Sequence, residues 1–203
     1  YGRIGRCVLR AFYESTNYAD LRIVAINDLA DIGNLAHLTR YDSTHGRFLG
    51  EVEQGDGELM VSGDAIRVSQ QADVANLRWN DLEIDLVMEC SGTFTDRETA
   101  QIHLANGAKR VLFSQPADSD VDATLVYGIN HETLAHDATI ISNASCTTNC
   151  IVPVLKAIDE VFGIDHGVIT TIHSAMNDQP VIDSYHHQDL RKTRSAMQSI
   201  IPQ

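Results

Sequence analysis

Basic residues, cysteine, proline and long apolar runs are all scarce in this 203-residue sequence. Lysine and arginine number 15 against 28 acidic residues, which gives a formal net charge of −13. Proteins that bind nucleic acids normally present a basic face, so this class is disfavoured. No apolar run approaches the roughly 20 residues that a membrane-spanning helix needs. Hydrophobic residues still make up 43% of the chain, which is typical of a protein with a folded core.

The cysteines and the chain ends suggest where the protein works. Four cysteines in a chain of this length do not indicate a disulfide framework, and reduced thiols are typical of cytoplasmic proteins. The sequence begins at Tyr1 without an initiator methionine, and it shows no signal peptide. We therefore expect a cytoplasmic protein, and we expect this chain to be a fragment truncated at both ends.

Helical and strand patterns alternate along most of the chain. Residues 3–14 carry apolar side chains at helical spacing, whereas residues 21–26 form a β-branched run that ends at Asn27-Asp28. Further helices are predicted over 31–40, 96–106 and 145–162, the second of them closed by Gly107 in the C′ position. Further strands are predicted over 59–61, 65–68, 85–90, 109–114, 123–129, 139–142 and 167–173. This alternation predicts crossover connections and a mostly parallel sheet, which binds ligands at the carboxyl ends of its strands.

Two glycines open the first predicted helix, in the segment Gly2-Arg3-Ile4-Gly5. They match the last two glycines of the Rossmann dinucleotide fingerprint, where the backbone approaches the pyrophosphate and the helix packs on the sheet. Asp28 ends the next strand at about the expected 20-residue offset. A carboxylate there can accept hydrogen bonds from both ribose hydroxyls and would repel a 2′-phosphate, which predicts NAD rather than NADP. The alternative is an ordinary helix start followed by a loop aspartate.

These patterns together predict an α/β fold in two parts. Residues 1–144 are expected to form a Rossmann-type domain, a doubly wound parallel sheet that lacks its first strand. Residues 145–203 are expected to begin an α+β catalytic domain.

A cysteine at the start of a helix is the most informative feature of the sequence. Cys146 follows a predicted strand and falls in the first helical turn, next to Ser145 as the expected N-cap. Unpaired N–H groups and the helix dipole favour an anion there, so we expect a lowered thiol pKa and a reactive thiolate. The same N–H groups could hold an oxyanion, and Thr147 and Thr148 add hydroxyl donors.

Cys150 lies one helical turn beyond Cys146, so a metal site or a disulfide between the two is an alternative. No second pair of ligands has suitable spacing, and we expect no metal. We interpret Cys150 as a buried small hydrophobic residue.

A nucleophilic cysteine needs a base, and His173 is our choice among nine histidines. It ends the predicted strand over residues 167–173, and strand ends face the site in this architecture. Most of the other histidines are expected to be surface or core residues. His186 and His187 are adjacent and would point to opposite sides of an extended segment, which disfavours a metal site.

The sequence resembles the glyceraldehyde-3-phosphate dehydrogenase family along essentially its whole length. The resemblance is carried by Gly2-Arg3-Ile4-Gly5-Arg6, Ala25-Ile26-Asn27-Asp28, Tyr41-Asp42-Ser43-Thr44-His45-Gly46-Arg47-Phe48 and Ser145-Cys146-Thr147-Thr148-Asn149-Cys150. The last of these resembles the active-site signature of the family and is the most specific.

The resemblance implies an NAD-dependent aldehyde-phosphate dehydrogenase that forms a homotetramer when complete. Cys146 and His173 would be the catalytic residues, and Ser145 and Thr147 would bind substrate. Arg191 is our own candidate for a contact to the substrate phosphate, and the alternative is an exposed basic residue on a loop. The cofactor NAD would be bound by Gly2, Arg3, Ile4, Gly5, Asp28 and Ser114.

Within the family, the residues after His173 resemble the branch that oxidises D-erythrose 4-phosphate. Family members that use inorganic phosphate carry a threonine three residues after this histidine, and here that position is Met176. A thioether cannot donate a hydrogen bond to an anion, which favours release of the acyl intermediate by water. The alternatives are phosphorylating oxidation of glyceraldehyde 3-phosphate and an inactive nucleotide-binding module.

Overall fold

A computed structural model of the chain describes residues 1–177, 179–187 and 189–202. The chain divides into two compact units, Tyr1–Phe162 and Gly163–Gln203. The helices of the first unit are α1 (Arg3–Glu14), α2 (Ile32–Arg40), α3 (Arg97–Ala105) and α4 (Cys146–Phe162). Its strands are β1 (Ala25–Asn27), β2 (Tyr41–Asp42), β3 (Gly46–Arg47), β4 (Val52–Gln54), β5 (Glu58–Val61), β6 (Asp64–Ser69), β7 (Leu86–Glu89), β8 (Arg110–Phe113), β9 (Ala123–Thr124) and β10 (Ile140–Ser142).

The strands of the first unit form two four-stranded sheets and a short ladder of β2 and β3. The second sheet, in the order β7-β8-β10-β9, is parallel throughout and confirms the predicted α/β class. The first sheet, in the order β1-β6-β5-β4, has only one parallel pair, β1 with β6. Its other strands form antiparallel hairpins. Ser62 and Gly63, with φ of 50° and 93°, make the tight turn between β5 and β6.

Short polar side chains and glycine set the ends of the helices. Asp31 accepts a hydrogen bond from the Asn34 N–H at 2.9 Å and begins α2. Asp96 accepts one from the Thr99 N–H at 2.7 Å and begins α3. Gly107 follows α3 with a φ of 108°, and a Cβ there would lie 2.1 Å from the Asn80 side chain. Only glycine fits this position, as the pattern after residues 96–106 predicted.

The core of the first unit lies between its sheets and helices. Leu9 and Leu35 from α1 and α2 pack against Leu59, Val61 and Ile66 of the first sheet. Ala100 of α3 packs with β8 and β10 side chains of the second sheet. Both clusters pack the apolar face of a helix on a sheet.

The strand predictions were less accurate than the helix predictions. The strand expected over residues 123–129 is only β9, and β4 was not predicted. Residues 167–173 form no strand, and Val168 and Ile172 are 96% and 93% exposed. An alternating apolar segment becomes a strand only when a neighbouring strand supplies hydrogen bonds, and within the described residues nothing pairs with this segment.

The described residues contain no helix that is both long and apolar enough to cross a membrane.

Candidate active site

The start of α1 lies against the end of β7. Gly2 is the N-cap of α1 and has no side chain to bond the helix start. A Cβ on Gly2 would lie 3.8 Å from the Cys90 carbonyl oxygen, and a Cβ on Gly5 would lie 3.6 Å from the Cys90 Cβ. Both distances are ordinary van der Waals contacts, so the first turn of α1 packs on the turn that follows β7. Arg3 and Ile4, between them, are exposed.

Asp28 stands directly after β1, beside the first residue of the chain. Its carboxylate accepts the Ala30 N–H at 2.9 Å, a hydrogen bond that favours the charged form. Asp28 is therefore an anionic hydrogen-bond acceptor at the carboxyl end of its strand.

Ser114 follows β8, next to the end of β7. Its backbone N–H donates to the Glu89 carbonyl oxygen at 3.0 Å, and its hydroxyl donates to Gln115 at 2.8 Å. Burial raises the pKa of the neighbouring Cys90 thiol, and a hydrogen bond with the Ser114 side chain opposes that rise. The ends of β1, β7 and β8 thus meet around the start of α1. Four of the predicted cofactor residues are brought together there, namely Gly2, Gly5, Asp28 and Ser114.

The turn between β10 and α4 presents Cys146 at the start of a helix. Ser142 ends β10 and is fully buried, and its hydroxyl donates to the Gln115 carbonyl at 2.9 Å. Ala144 is buried and has a φ of 57°, in the left-handed region that residues with a Cβ rarely adopt. Ser145 then caps the helix, because its hydroxyl accepts the Thr148 N–H at 2.9 Å. The predicted N-cap is confirmed.

Cys146 is the first residue of α4 and its side chain is exposed. Its sulfur lies 4.0 Å from the Thr147 hydroxyl oxygen. The amide of Asn149 donates to the carbonyls of Asn143 and Ser145, at 2.7 and 3.0 Å, and ties the helix to the preceding turn. The expected location of Cys146 in the first helical turn is therefore confirmed.

The interpretation of Cys150 as a buried residue is wrong, because its side chain is exposed. The reason is that α4 buries none of its own residues, although Val154, Ile158 and Phe162 continue its apolar face. No group of three or more histidine, cysteine or acidic side chains in the described part of the chain is placed to hold a metal ion.

His173 lies in the second unit and is exposed. Its Nδ1 is 2.7 Å from the Ser174 carbonyl oxygen. A carbonyl can only accept, so Nδ1 carries the proton in the neutral ring and Nε2 carries the lone pair. The sequence predicted that this ring would stand at the end of a strand, but the backbone that carries it is irregular.

Arg191, also in the second unit, pairs with Asp189. The guanidinium donates to the two carboxylate oxygens at 3.0 and 2.8 Å, and the Arg191 backbone N–H donates at 2.9 Å. These bonds lower the pKa of Asp189 to about 2 and raise that of Arg191. The Arg191 side chain is nevertheless 55% exposed, so a further anion can reach it.

Two features of the site were not predicted from the sequence. One is the left-handed Ala144, since alanine gives no signal for this conformation. The other is a buried contact between Glu89 and His103, next to the turn that follows β7.

Two protein-family models match this chain, one near its beginning and one near its end. Residues 1–97 match the family model described as glyceraldehyde 3-phosphate dehydrogenase, NAD binding domain. Residues 145–203 match the model described as glyceraldehyde 3-phosphate dehydrogenase, C-terminal domain. The chain is therefore built from the NAD-binding and C-terminal domains of the glyceraldehyde-3-phosphate dehydrogenase family, and it is an NAD-dependent oxidoreductase that acts on an aldehyde.

Proposed function

We propose that the chain belongs to a D-erythrose-4-phosphate dehydrogenase, which oxidises D-erythrose 4-phosphate to 4-phosphoerythronate with NAD. In this proposal residues 1–144 form the NAD-binding domain and residues 145–203 begin the catalytic domain. The exposed Cys146 at the Ser145-capped start of α4 supports the dehydrogenase chemistry. The observation that carries the choice of substrate is Met176, three residues after His173, where family members that use phosphate have a threonine. The complete enzyme is proposed to be a cytoplasmic homotetramer whose product feeds the synthesis of pyridoxal 5′-phosphate.

Cys146 is the proposed nucleophile. The N–H groups and dipole at the start of α4 favour a negative charge, which supports attack by the thiolate on the aldehyde carbon. The attack breaks the carbonyl π bond and forms a carbon–sulfur bond and an oxyanion. The Cys146 backbone N–H and the His173 imidazole stabilise that oxyanion. A covalent intermediate divides one difficult oxidation into two easier steps.

His173 is the proposed base. Its Nδ1 proton is directed at the Ser174 carbonyl, so Nε2 is the atom that accepts protons. It first takes the thiol proton and gives it to the oxyanion, which forms a hemithioacetal. It takes the hydroxyl proton back as the thioester forms, and it then loses this proton to solvent. The neutral ring next removes a proton from the water that attacks the thioester, and the carbon–sulfur bond breaks to release the acid and the Cys146 thiolate. NAD, when bound, supplies the hydride acceptor for the oxidation.

The residues at the start of α1 fit a dinucleotide. No side chain caps the start of α1, because its N-cap is Gly2. The first-turn N–H groups can therefore receive a pyrophosphate. Asp28 is anionic and can accept hydrogen bonds from ribose hydroxyls, which supports NAD over NADP. We assign Arg3, Ile4 and Ser114 to the same cofactor site.

Two residues of the second unit bear on the substrate. Met176 is partly exposed and cannot donate a hydrogen bond, which favours water over inorganic phosphate as the acceptor for the thioester. Arg191 offers a positive charge for the substrate phosphate, although Asp189 competes for it. Ser145 and Thr147 supply hydroxyl groups beside the reacting sulfur.

Steady-state turnover with D-erythrose 4-phosphate and with glyceraldehyde 3-phosphate, each with and without inorganic phosphate, tests the proposal. We expect a higher kcat/KM for D-erythrose 4-phosphate and no requirement for phosphate. Strict dependence on phosphate together with a preference for glyceraldehyde 3-phosphate would instead identify the phosphorylating enzyme.

The alkylation rate of Cys146 near neutral pH tests the underlying chemistry separately. The proposal expects alkylation faster than that of a model thiol, because the start of α4 favours the thiolate. A rate no faster than the model thiol would favour an inactive nucleotide-binding module.

A further inference from the structure

The Glu89 carboxylate is buried next to the turn over residues 90–92, which packs on the start of α1. Glu89 is the last residue of β7 and is 8% exposed. One of its oxygens accepts the backbone N–H of Ser91 at 2.7 Å. Ser91 in turn accepts the Thr93 N–H on its hydroxyl at 3.1 Å, and Gly92 has a φ of 73°. The Glu89 carboxylate therefore fixes the backbone of a tight turn that contains a flexible glycine.

The other carboxylate oxygen of Glu89 faces His103, which is 1% exposed on α3. The distance from this oxygen to His103 Nε2 is 3.6 Å, too long for a hydrogen bond but close enough for electrostatic attraction. His103 Nδ1 accepts the indole N–H of Trp79 at 3.1 Å. An indole can only donate, so the neutral ring carries its proton on Nε2, the nitrogen that faces Glu89.

This contact stabilises an ionised carboxylate in the interior. Burial alone would raise the pKa of Glu89, but His103 and the Ser91 N–H outweigh burial and keep the pKa below its usual value. The turn that Glu89 holds is the one that packs on α1. A Cβ added to Gly2 would lie nearest to the Cys90 carbonyl oxygen. A Cβ added to Gly5 would contact the Tyr1 ring and the Cys90 Cβ.

We propose that Glu89 is a positioning residue for NAD, whose buried carboxylate, oriented by His103, holds the turn over residues 90–92 against the start of α1. The proposal rests on the proposed placement of the cofactor at Gly2, Gly5 and Asp28. Glu89 acts through the turn and does not touch the cofactor. Its removal therefore weakens NAD binding while the reactivity of Cys146 is unchanged.

The experiment compares three single variants of the chain. Glu89→Ala removes both contacts, and Glu89→Gln keeps an acceptor for the Ser91 N–H but loses the charge that faces His103. Asp85→Asn is the matched control, because Asp85 lies just before the other end of β7, is exposed, and pairs with Lys109 at 2.6 Å. Affinity for NADH is measured by calorimetry, and the alkylation rate of Cys146 by iodoacetamide is measured in parallel.

We expect Glu89→Ala to weaken NADH binding roughly tenfold, the effect of losing a hydrogen bond to a charged group. Glu89→Gln is expected to fall between Glu89→Ala and the unaltered chain, and Asp85→Asn is expected to match the unaltered chain. The alkylation rate of Cys146 should not change in any of them. Equal NADH affinity in Glu89→Gln and the unaltered chain, or equal weakening by Asp85→Asn, would overturn the proposal.

A second measurement does not depend on the cofactor site. Hydrogen exchange of the Ser91 amide in the absence of NADH should be faster in Glu89→Ala than in the unaltered chain, because its acceptor is gone. Unchanged exchange would overturn the positioning role even if NADH binds elsewhere. Faster exchange with unchanged NADH affinity would instead count against the placement of the cofactor at the start of α1.

The indole of Trp79 offers an independent readout, since the chain contains a single tryptophan. The emission of Trp79 reports the hydrogen bond to His103, so Glu89→Gln should shift its spectrum in the folded protein, and Asp85→Asn should not. Identical spectra for all three proteins would contradict the link from Glu89 through His103.

Discussion

The helices α2 and α3 begin with an aspartate, whereas α1 and α4 begin with a glycine and a serine. Asp31 and Asp96 each accept the N–H three residues on, so a negative charge already occupies those two helix starts. Gly2 provides no cap, and Ser145 provides a neutral one. A helix start favours an anion, so the two helix starts without a carboxylate are better suited to an anion that comes from elsewhere.

The two helix starts without a carboxylate also differ from each other. Gly2 leaves the first turn of α1 open, which suits a large dinucleotide bound without a covalent bond. Ser145 closes part of the first turn of α4 and places Cys146 there, which suits a sulfur anion of the chain itself. In the proposed function, the capping residue thus distinguishes the structural helices α2 and α3 from α1, which is assigned to the cofactor, and from α4, which is assigned to the nucleophile.

Replacement of the Cys146 thiol by a hydroxyl should have the largest effect on turnover. We expect Cys146→Ser to lower kcat on the order of 10⁴-fold or more, as expected when a nucleophile is removed. Its affinity for NADH should be unchanged, because the start of α1 is intact. Cys150→Ser is the control, since Cys150 lies one turn further on and carries no step of the proposed mechanism. Substantial turnover in Cys146→Ser would refute the assignment of the nucleophile.

An aspartate at the N-cap of α1 should make its start resemble those of α2 and α3, which already hold a carboxylate. Gly2→Asp is sterically possible, because the nearest atom to its Cβ would be 3.8 Å away. We expect it to weaken NADH binding at least about tenfold, since the new charge repels the pyrophosphate and fills the helix start. Calorimetry measures the affinity.

The matched control for Gly2→Asp is Asp31→Ser, which changes the cap of a structural helix. It should leave NADH affinity unchanged. An equal loss of affinity in both variants would mean that the cap of α1 has no special role.

The turn before α4 should be sensitive to the shape of residue 144. Ala144→Val should lower the free energy of unfolding by roughly 1–2 kcal/mol more than the same change elsewhere, because a β-branched residue is strained at a φ of 57°. Ala144→Gly should preserve both stability and the alkylation rate of Cys146. Ala138→Val is the control for volume, since Ala138 is also buried but has no positive φ. Urea unfolding measures all three, and equal losses for the two valine variants would exclude backbone strain.

Helix ends were the best predicted part of this molecule because their signals are local. Ser145 caps α4 as predicted, and Gly107 ends α3 where the sequence placed a C′ glycine. Strands depend on partners that are distant in sequence. Residues 167–173 alternate as a strand should, but within the described residues they have no strand to pair with.

In the candidate site, too, features that depend on neighbouring residues could be predicted, and features that depend on distant residues could not. The position of Cys146 depends on a few neighbouring residues and could be predicted. The contact between Glu89 and His103 joins a strand to a helix and depends on how α3 packs, so no motif reveals it. The exposure of Cys150 also could not be predicted, because the periodicity of a helix shows which face is apolar and not what covers it.

The smallest expected effect is that of removing the Asp96 carboxylate, which caps the start of α3. Asp96→Ala should lower the free energy of unfolding by about 1 kcal/mol at neutral pH, the usual contribution of an N-cap. The Thr99 N–H holds the pKa of Asp96 below its usual value. This stabilisation is therefore complete above the usual pKa of about 3.9 and is lost as the pH falls through the lowered value.

The difference between the unaltered chain and Asp96→Ala should accordingly shrink between neutral pH and pH values below the usual carboxyl pKa. Urea unfolding across that range measures it, with the exposed Asp20→Ala as the control that leaves stability unchanged. NADH affinity should be the same in all three proteins, because α3 has no open helix start. A constant difference across the whole range would show that Asp96 does not stabilise α3 through its charge, and the contrast with α1 and α4 would then rest on side-chain shape alone.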